Sequence, residues 1–181
     1  MYDLPTFPLF PDPVRERVFT KTANACGICN QDRAVLYAGP VYGKRPTRDR
    51  LVCPWCIADG SAAATGLFFN DSSTQSIGPG TARMTAADAA LVEQRTPGFT
   101  TWQDNHWCAC CDRACIYLGE ADAEDLKGRW SQAVPSLFAD CNWPPERVAE
   151  TVERFERGGS PAAYIFKCQV CSKLQGYWDC D

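Results

Sequence analysis

Apolar residues recur at helical spacing in three stretches of this chain, each preceded by a residue that commonly starts a helix. The first stretch follows Thr85 and is predicted to end before Pro97. The second follows Asp122, and the third runs from Pro144 to Gly158. The apolar faces of these last two predicted helices consist of Leu126, Trp130 and Val134 and of Val148, Val152 and Phe155, respectively.

Runs of β-branched and aromatic residues predict strands towards both ends of the chain. Near the start, "AVLYAGPVYG" (residues 34–43) and "RDRLV" (48–52) are predicted to form the hairpin of a ribbon, and "AAYIF" (162–166) and "LQGYW" (174–178) a C-terminal β-hairpin. Closely spaced prolines exclude a helix from the opening residues. We expect Phe7, Leu9 and Phe10 to pack there as an extended segment on the folded body.

Twelve of the 181 residues are cysteine, an excess that requires a physical reason. The opening residues lack the apolar segment of a signal peptide, and no apolar run is long enough to span a membrane, so we expect a cytoplasmic protein. Thiols stay reduced in that compartment, where paired cysteines indicate metal ligands or redox groups before disulfides.

Two C-x-x-C pairs, Cys26 with Cys29 and Cys53 with Cys56, are separated by 23 residues. Each pair is a tight turn that directs two sulfurs to one point, so two pairs complete the four-sulfur shell of a zinc ribbon. The second pair also has the Cys-Pro-x-Cys form of a thioredoxin-like redox site, which needs one dithiol at the start of a helix. Because that alternative leaves the first pair without a role, we interpret all four cysteines as ligands of a structural zinc ion.

A second set of cysteines lies downstream. Cys168 and Cys171 form a C-x-x-C pair inside the predicted C-terminal hairpin, and their partners must come from "HWCACCDRAC" (residues 106–115). Two choices fit the spacing of a ligand pair: Cys108 with Cys111, or Cys111 with Cys115. Spacing alone slightly favours the former, because two intervening residues are the commoner arrangement.

Four segments carry a family resemblance: "LPTFPLFPDP" (4–13), "CPWCIADGSAA" (53–63), "TWQDNHWCACCDRACIYLG" (101–119) and "FKCQVC" (166–171). Together they resemble the CbrC family, poorly characterised bacterial proteins linked by name to colicin tolerance. The resemblance implies a second zinc site formed by Cys111, Cys115, Cys168 and Cys171. It also implies that Cys110 stands where the family usually has histidine, and it implies no established enzymatic activity.

The chain offers few groups for catalysis. His106, the single histidine, is predicted to pack among aromatic residues, and Asp59 to accept N–H bonds or to cap a short helix. The motifs of zinc deaminases, zinc proteases and phosphate-binding loops do not occur, so a non-enzymatic function is favoured. Cys141 and Cys180 lie apart from the paired cysteines and could be buried thiols.

The charge of the chain bears on its partners. The formal net charge is −4, and two zinc ions held by eight thiolates would take it to about −8, which disfavours non-specific binding to nucleic acid. Four basic residues could contact phosphates or offset thiolate charge: Lys44, Arg45, Arg48 and Arg50. We expect another protein as the partner, with nucleic acid as the alternative.

These observations predict an α+β protein with two structural zinc ions. A zinc-ribbon-like N-terminal lobe is expected to pack with a second lobe, in which zinc links helices to the C-terminal β-hairpin. The expected organisation is 1–66 for the extended segment and ribbon, 67–107 for a helical connector and 108–181 for the second lobe. The predicted function is a binding or stress-tolerance module, and the family resemblance implies a role in colicin tolerance. The alternative is a metal-dependent, nuclease-like hydrolase with an open position at its second zinc ion.

Overall fold

The computed structural model describes residues 3–43, 51–71, 83–103 and 105–181, and its fold belongs to the α+β class. These residues form two compact units. The first unit contains the described residues up to 71 together with Ala86–Thr100, and the second contains residues 83–85 with Thr101–Asp181. No helix within these ranges is long and apolar enough to cross a membrane.

Two short antiparallel strand pairs form the β-structure of the first unit. β1 (Phe19–Lys21) pairs with β2 (Val35–Tyr37), and β3 (Tyr42–Gly43) pairs with β4 (Leu67–Phe68). All three residues of β2 are buried, so this strand forms part of the core of the unit.

The ribbon hairpin differs from the predicted one. The segment 34–43 divides into β2 and β3, because Pro40 between them has no amide hydrogen for a strand ladder. β2 pairs with the earlier strand β1, which the sequence did not predict. Residues 48–50 lie outside the described residues, and Val52 makes one backbone contact with β2, accepting the Tyr37 N–H at 2.8 Å.

Two α-helices complete the first unit. α1 (Pro54–Ala58) begins directly after Cys53, with Pro54 at the first helical position, where a missing N–H group is tolerated. α2 (Ala86–Arg95) confirms the helix predicted after Thr85. Its end is held by Asn70, whose buried amide group donates hydrogen bonds to two carbonyls of this region at 2.9 Å each.

The N-terminal segment packs as predicted. Phe7, Leu9 and Phe10 are 2%, 1% and 1% exposed, and the Phe7 ring lies 6.0 Å from the Phe19 ring of β1. The Pro-rich opening therefore contributes to the core of the first unit, which raises the apolar area that this small unit buries.

An antiparallel three-stranded sheet dominates the second unit. Its strands β7 (Ile116–Ala121), β8 (Ala162–Lys167) and β9 (Leu174–Asp179) lie in the order β7-β8-β9. The β8–β9 hairpin confirms the sequence prediction, whereas β7 is a third strand that was not predicted. A separate small hairpin of β5 (Ala109–Cys110) and β6 (Arg113–Ala114) precedes this sheet.

The helix predicted after Asp122 is interrupted. α3 covers Ala123–Lys127, and Gly128 then leaves the helical region with φ −108° and ψ −113°. A 3-10 turn leads into α4 (Val134–Leu137), whose second residue is a proline and must therefore lie near a helix start. The predicted apolar face still points inward, because Leu126 and Trp130 are 1% and 6% exposed.

The third predicted helix is shorter than expected. α5 (Pro145–Val152) begins at the predicted prolines but ends six residues before Gly158. Phe155 lies beyond the helix and is still 1% exposed, with its ring 6.2 Å from the Trp178 ring of β9. Packing of the aromatic side chain is therefore kept although the helical backbone has ended.

The N-cap of α3 generates a stability prediction. The Asp122 carboxylate accepts the Asp125 N–H at 2.9 Å, so Asp122→Ala should lower the free energy of unfolding by about 1 kcal/mol. Asp122→Asn keeps the acceptor and should cost much less. Denaturant unfolding of the metal-loaded protein measures both variants. Equal losses would instead assign the effect to the exposed ion pair of Asp122 with Arg157 at 3.5 Å.

Candidate metal centres

The first group of cysteines, Cys26, Cys29, Cys53 and Cys56, connects the β1–β2 loop to the start of α1. The first two lie in that loop, where the Cys26 carbonyl accepts the Asn30 N–H at 2.8 Å and closes a turn. Asn30 has φ 55°, a left-handed conformation that asparagine tolerates better than most residues. Cys53 immediately precedes α1, and Cys56 lies in its first turn.

The four sulfurs of the first group converge in the interior of the unit. All lie within 4.8 Å of one another, with 3.9 Å from Cys26 Sγ to Cys56 Sγ and 3.9 Å from Cys29 Sγ to Cys53 Sγ. Cys26, Cys53 and Cys56 are 0%, 0% and 3% exposed, and Cys29 is half-buried. The structure thus brings together all four residues that the sequence predicted for the first site.

Hydrogen bonds favour a thiolate at Cys26. The Cys53 thiol is the main cause, and the N–H groups of Ile28 and Cys53 add bonds at 3.4 and 3.3 Å, so the pKa of Cys26 falls to about 4. The same thiol–thiolate contact raises the pKa of Cys53, and burial raises the pKa of Cys56 to about 11. Without metal, the Cys26 thiolate is therefore stabilised by the protonated thiols beside it. A bound metal cation would displace the protons of those thiols.

The second group, Cys110, Cys111, Cys168 and Cys171, connects the β5–β6 turn to the β8–β9 turn. Cys110 ends β5, while Cys111 and the residue after it have φ 53° and 57°, as a two-residue hairpin turn of type I′ requires. Cys168 directly follows β8, and its N–H donates to the Lys173 carbonyl at 2.9 Å. This bond closes the turn that carries Cys171.

The sulfurs of the second group also lie within 4.8 Å of one another. Cys110 Sγ is 3.8 Å from Cys111 Sγ and 3.7 Å from Cys171 Sγ. Burial opposes ionisation of Cys168, but the N–H groups of Cys171 and Val170 donate to its sulfur at 3.4 Å each and lower its pKa to about 6. Cys168 is 1% exposed, whereas Cys111 and Cys171 are exposed.

The spacing of these sulfurs fits a tetrahedral metal ion. Metal–sulfur bonds of about 2.3 Å give sulfur–sulfur edges of about 3.8 Å in a tetrahedron, and two sulfur pairs in each group are separated by 3.7–3.9 Å. A disulfide would bring two sulfurs to about 2.05 Å. Both groups can therefore hold a metal ion with four sulfur ligands.

The second group contains Cys110 where the sequence predicted Cys115. The turn places Cys110 and Cys111 at the hairpin tip, while Cys115 lies two residues beyond the start of β6, roughly 7 Å further along. Cys115 is fully buried, and its sulfur accepts a hydrogen bond from Gln175 Nε2 at 3.3 Å. One signal could have identified Cys110: the resemblance placed histidine, the other common zinc ligand, at that position.

The remaining cysteines lie outside both groups. Cys108, which spacing alone favoured as a ligand, is 8% exposed, and burial raises its pKa. Its carbonyl accepts the Cys115 N–H at 2.9 Å, which extends the β5–β6 hairpin. Cys141 and Cys180 are half-buried.

His106 and Asp59, the two candidates for a chemical role, each make a hydrogen bond that accounts for their position. The His106 ring lies 5.5 Å from the Tyr177 ring, and the His106 N–H donates to the Tyr177 hydroxyl at 3.0 Å. Asp59 Oδ1 accepts the Ser61 N–H at 2.8 Å, which agrees with the predicted local capping. Neither residue belongs to a cysteine group.

The basic loop predicted to meet phosphates or offset thiolate charge, Lys44, Arg45, Arg48 and Arg50, lies outside the described residues. A different cation, Arg33, contacts a residue of the second C-x-x-C motif. The Arg33 guanidinium stacks over Trp55, which lies between Cys53 and Cys56 in the sequence, at 4.8 Å from the ring centroid.

A redox dithiol lies at the start of a helix, and Cys53 meets this requirement because it directly precedes α1. The local structure of Cys53-Pro54-Trp55-Cys56 therefore fits both a redox site and a pair of metal ligands. The first C-x-x-C pair decides in favour of metal ligands, since Cys26 Sγ and Cys29 Sγ each lie 3.9 Å from a sulfur of this motif. Four converging sulfurs are the donor set of a metal site.

Comparison with known proteins assigns the family. The model of the uncharacterised protein family UPF0167 matches residues 4–180. The chain belongs to this family. It is 35% identical to the UPF0167 protein PA1536 of Pseudomonas aeruginosa over 98% of this chain and 97% of the relative. The UPF0167 proteins Mb2317 of Mycobacterium bovis and MT2352 of Mycobacterium tuberculosis are each 32% identical, over 97% of this chain and 93% of the relative. No solved structure matches the chain.

The two alternatives for the second group give opposite predictions for a pair of substitutions. Cys110→Ser should reduce the bound metal by about one ion per chain, because it removes one of four sulfur ligands. Cys115→Ser should leave the metal content unchanged. Elemental analysis of the purified variants measures this difference, with Cys141→Ser as a control outside both groups. Loss of metal from Cys115→Ser but not from Cys110→Ser would restore the ligand set expected from the sequence.

Proposed function

We propose that this protein is a zinc-binding module, in which two four-cysteine sites hold the fold together and the protein surface binds another protein. The observation that carries the proposal is the convergence of eight cysteines into two groups with sulfur separations of 3.7–3.9 Å. Each group joins segments that are distant in the sequence, which is the arrangement of a structural metal site.

Zinc is the metal that this donor set supports best. Four thiolates in a tetrahedron select zinc or iron–sulfur centres, and sulfurs that lie about one tetrahedral edge apart suit a single ion. When bound, zinc would supply a cross-link without redox chemistry of its own. The backbone N–H groups that donate to Cys26 and Cys168 support the negative charge which the ligands must carry.

The closed ligand sets favour a structural function over the hydrolase alternative. A catalytic zinc ion keeps one position open for water or substrate, whereas each group here supplies four sulfurs. A hydrolase would also need an acid–base group near the metal, and His106 packs instead against Tyr177. The hydrolase would require one of the exposed sulfurs of the second group to leave the metal.

An apolar groove in the second unit supports a protein partner. It has a volume of about 580 Å³ and lies between α3, α4 and α5. Its apolar lining includes Leu126, Val134, Phe138, Trp143, Val148 and Val152. An apolar groove of this kind is typical of sites that bind a protein segment or an apolar ligand. The acidic chain makes nucleic acid the alternative that charge disfavours.

Colicin tolerance is the biological setting that the resemblance to the CbrC family adds to this proposal. If the module acts there, a strain that lacks the protein should become more sensitive to colicin. The wild-type chain should restore tolerance, whereas Cys53→Ser should not, because it disrupts the first zinc site. Survival at graded colicin concentrations measures this effect. Equal rescue by the wild type and the variant would show that colicin tolerance does not depend on the first zinc site.

Metal content tests the central proposal directly. Protein purified without chelators should contain about two zinc ions per chain, and Cys53→Ser and Cys168→Ser should each retain about one. Removal of zinc with a strong chelator should lower the thermal midpoint, because binding to the folded state alone stabilises it. Cys180→Ser serves as the control, since this half-buried cysteine lies outside both groups. Fewer than two ions in the wild type, or iron in place of zinc, would contradict the proposal.

A further inference from the structure

The two cysteine groups differ in their access to solvent. Three sulfur ligands of the first group belong to residues that are at most 3% exposed. In the second group Cys111 and Cys171 are exposed, and Val170 beside them is 62% exposed. A small oxidant dissolved in water can therefore reach the second group directly, while the folded chain shields the first.

Backbone hydrogen bonds protect two of the buried sulfurs further. Cys26 and Cys168 each accept two backbone N–H bonds, which draw electron density from the sulfur. Reaction with an oxidant needs a thiolate that is both electron-rich and accessible. The exposed Cys111 and Cys171 are therefore more open to oxidation than these two buried residues.

One pair in the second group is well placed to form a disulfide. Cys110 Sγ and Cys171 Sγ are 3.7 Å apart, so the sulfurs must approach by about 1.7 Å to reach bonding distance. Cys110 and Cys111 are neighbours in sequence, and a bond between them would distort the intervening peptide. Cys168 is buried and held by its N–H donors.

We propose that Cys171 and Cys110 form an oxidative modification site, at which a hydroperoxide converts two zinc ligands into a disulfide and releases the second metal ion. The Cys171 thiolate attacks the peroxide, its O–O bond breaks, and a sulfenic acid forms with loss of an alcohol, or of water from hydrogen peroxide. The Cys110 thiolate then attacks the sulfenic sulfur and expels a second oxygen as water. Two protons are consumed, two thiolates are oxidised and one peroxide is reduced.

The release of zinc rests on the proposed function, because it requires a loaded second site. Two sulfurs cannot hold the ion as firmly as four, so the disulfide converts an oxidant signal into loss of one metal ion. The first group, in which three of the four cysteines are buried, keeps its ion under the same conditions. The protein would then respond to peroxide by loosening the β5–β6 turn from the β8–β9 turn and leaving the first unit intact.

Limited oxidation of the full-length, zinc-loaded protein tests this inference. Hydrogen peroxide is added in small excess with a zinc-sensitive dye, and the disulfides are then mapped by mass spectrometry after thiol blocking. We expect release of one of two zinc equivalents and a disulfide that fragment ions of the cross-linked peptides assign to Cys110 and Cys171, because Cys110 and Cys111 share one peptide. A thiol reductant with added zinc should restore the original content. Cys141→Ser and Cys180→Ser should behave like the wild type.

Several outcomes would overturn the inference. Release of both ions together, release from the first group first, or a disulfide between Cys168 and Cys171 would each contradict the assigned pair. Absence of a disulfide between Cys110 and Cys171 would contradict the modification site itself. The zinc content before oxidation tests the proposed function separately, and disulfide mapping of metal-free protein tests the cysteine pair even if that proposal fails.

Discussion

Convergence of four sulfurs is the constraint on which the first unit depends. Its strands are two or three residues long, and ladders of that length contribute too few hydrogen bonds to hold a loop against a helix. The first group joins the β1–β2 loop to α1 across 23 residues of chain. A metal ion at this point would replace the long strands and large core that small domains otherwise need. The short elements and the cysteine excess therefore have the same physical explanation.

The hairpins that carry the second group are held together by a cluster of packed aromatic residues. Trp107 donates its indole N–H to the Cys115 carbonyl at 2.9 Å, and its ring lies 5.6 Å from the Phe166 ring in β8. Tyr117 of β7 packs on the same Phe166 ring at 5.1 Å. These contacts hold the base of each hairpin, while the cysteines lie at the exposed tips. Opening of the second site would therefore leave the sheet intact.

Elements with strong local signals could be predicted from the sequence, and elements that depend on distant partners could not. The α2 helix and the β8–β9 hairpin follow from periodicity and flanking residues, and the cap at Asp122 follows from its side-chain chemistry. The helical pattern did not predict the break at Gly128 or the early end of α5. The pattern reports which side chains are buried, and Trp130 and Phe155 are buried although neither lies in an α-helix. The pairing of β2 with β1 was missed for a related reason, since two short strands offer little pattern from which to infer a partner.

The sequence by itself determined which cysteine pairs form the first group, because two C-x-x-C turns each direct two sulfurs to one point. It also indicated that Cys168 and Cys171 need partners near residues 106–115. Only the tertiary structure decided that Cys110, and not Cys115, lies beside them. Spacing along the chain does not specify the type of turn, and the two-residue turn at Cys111 sets which sulfur reaches the hairpin tip. Solvent access is likewise a property of packing, so the contrast between a buried and an exposed group could not be derived from the order of the residues.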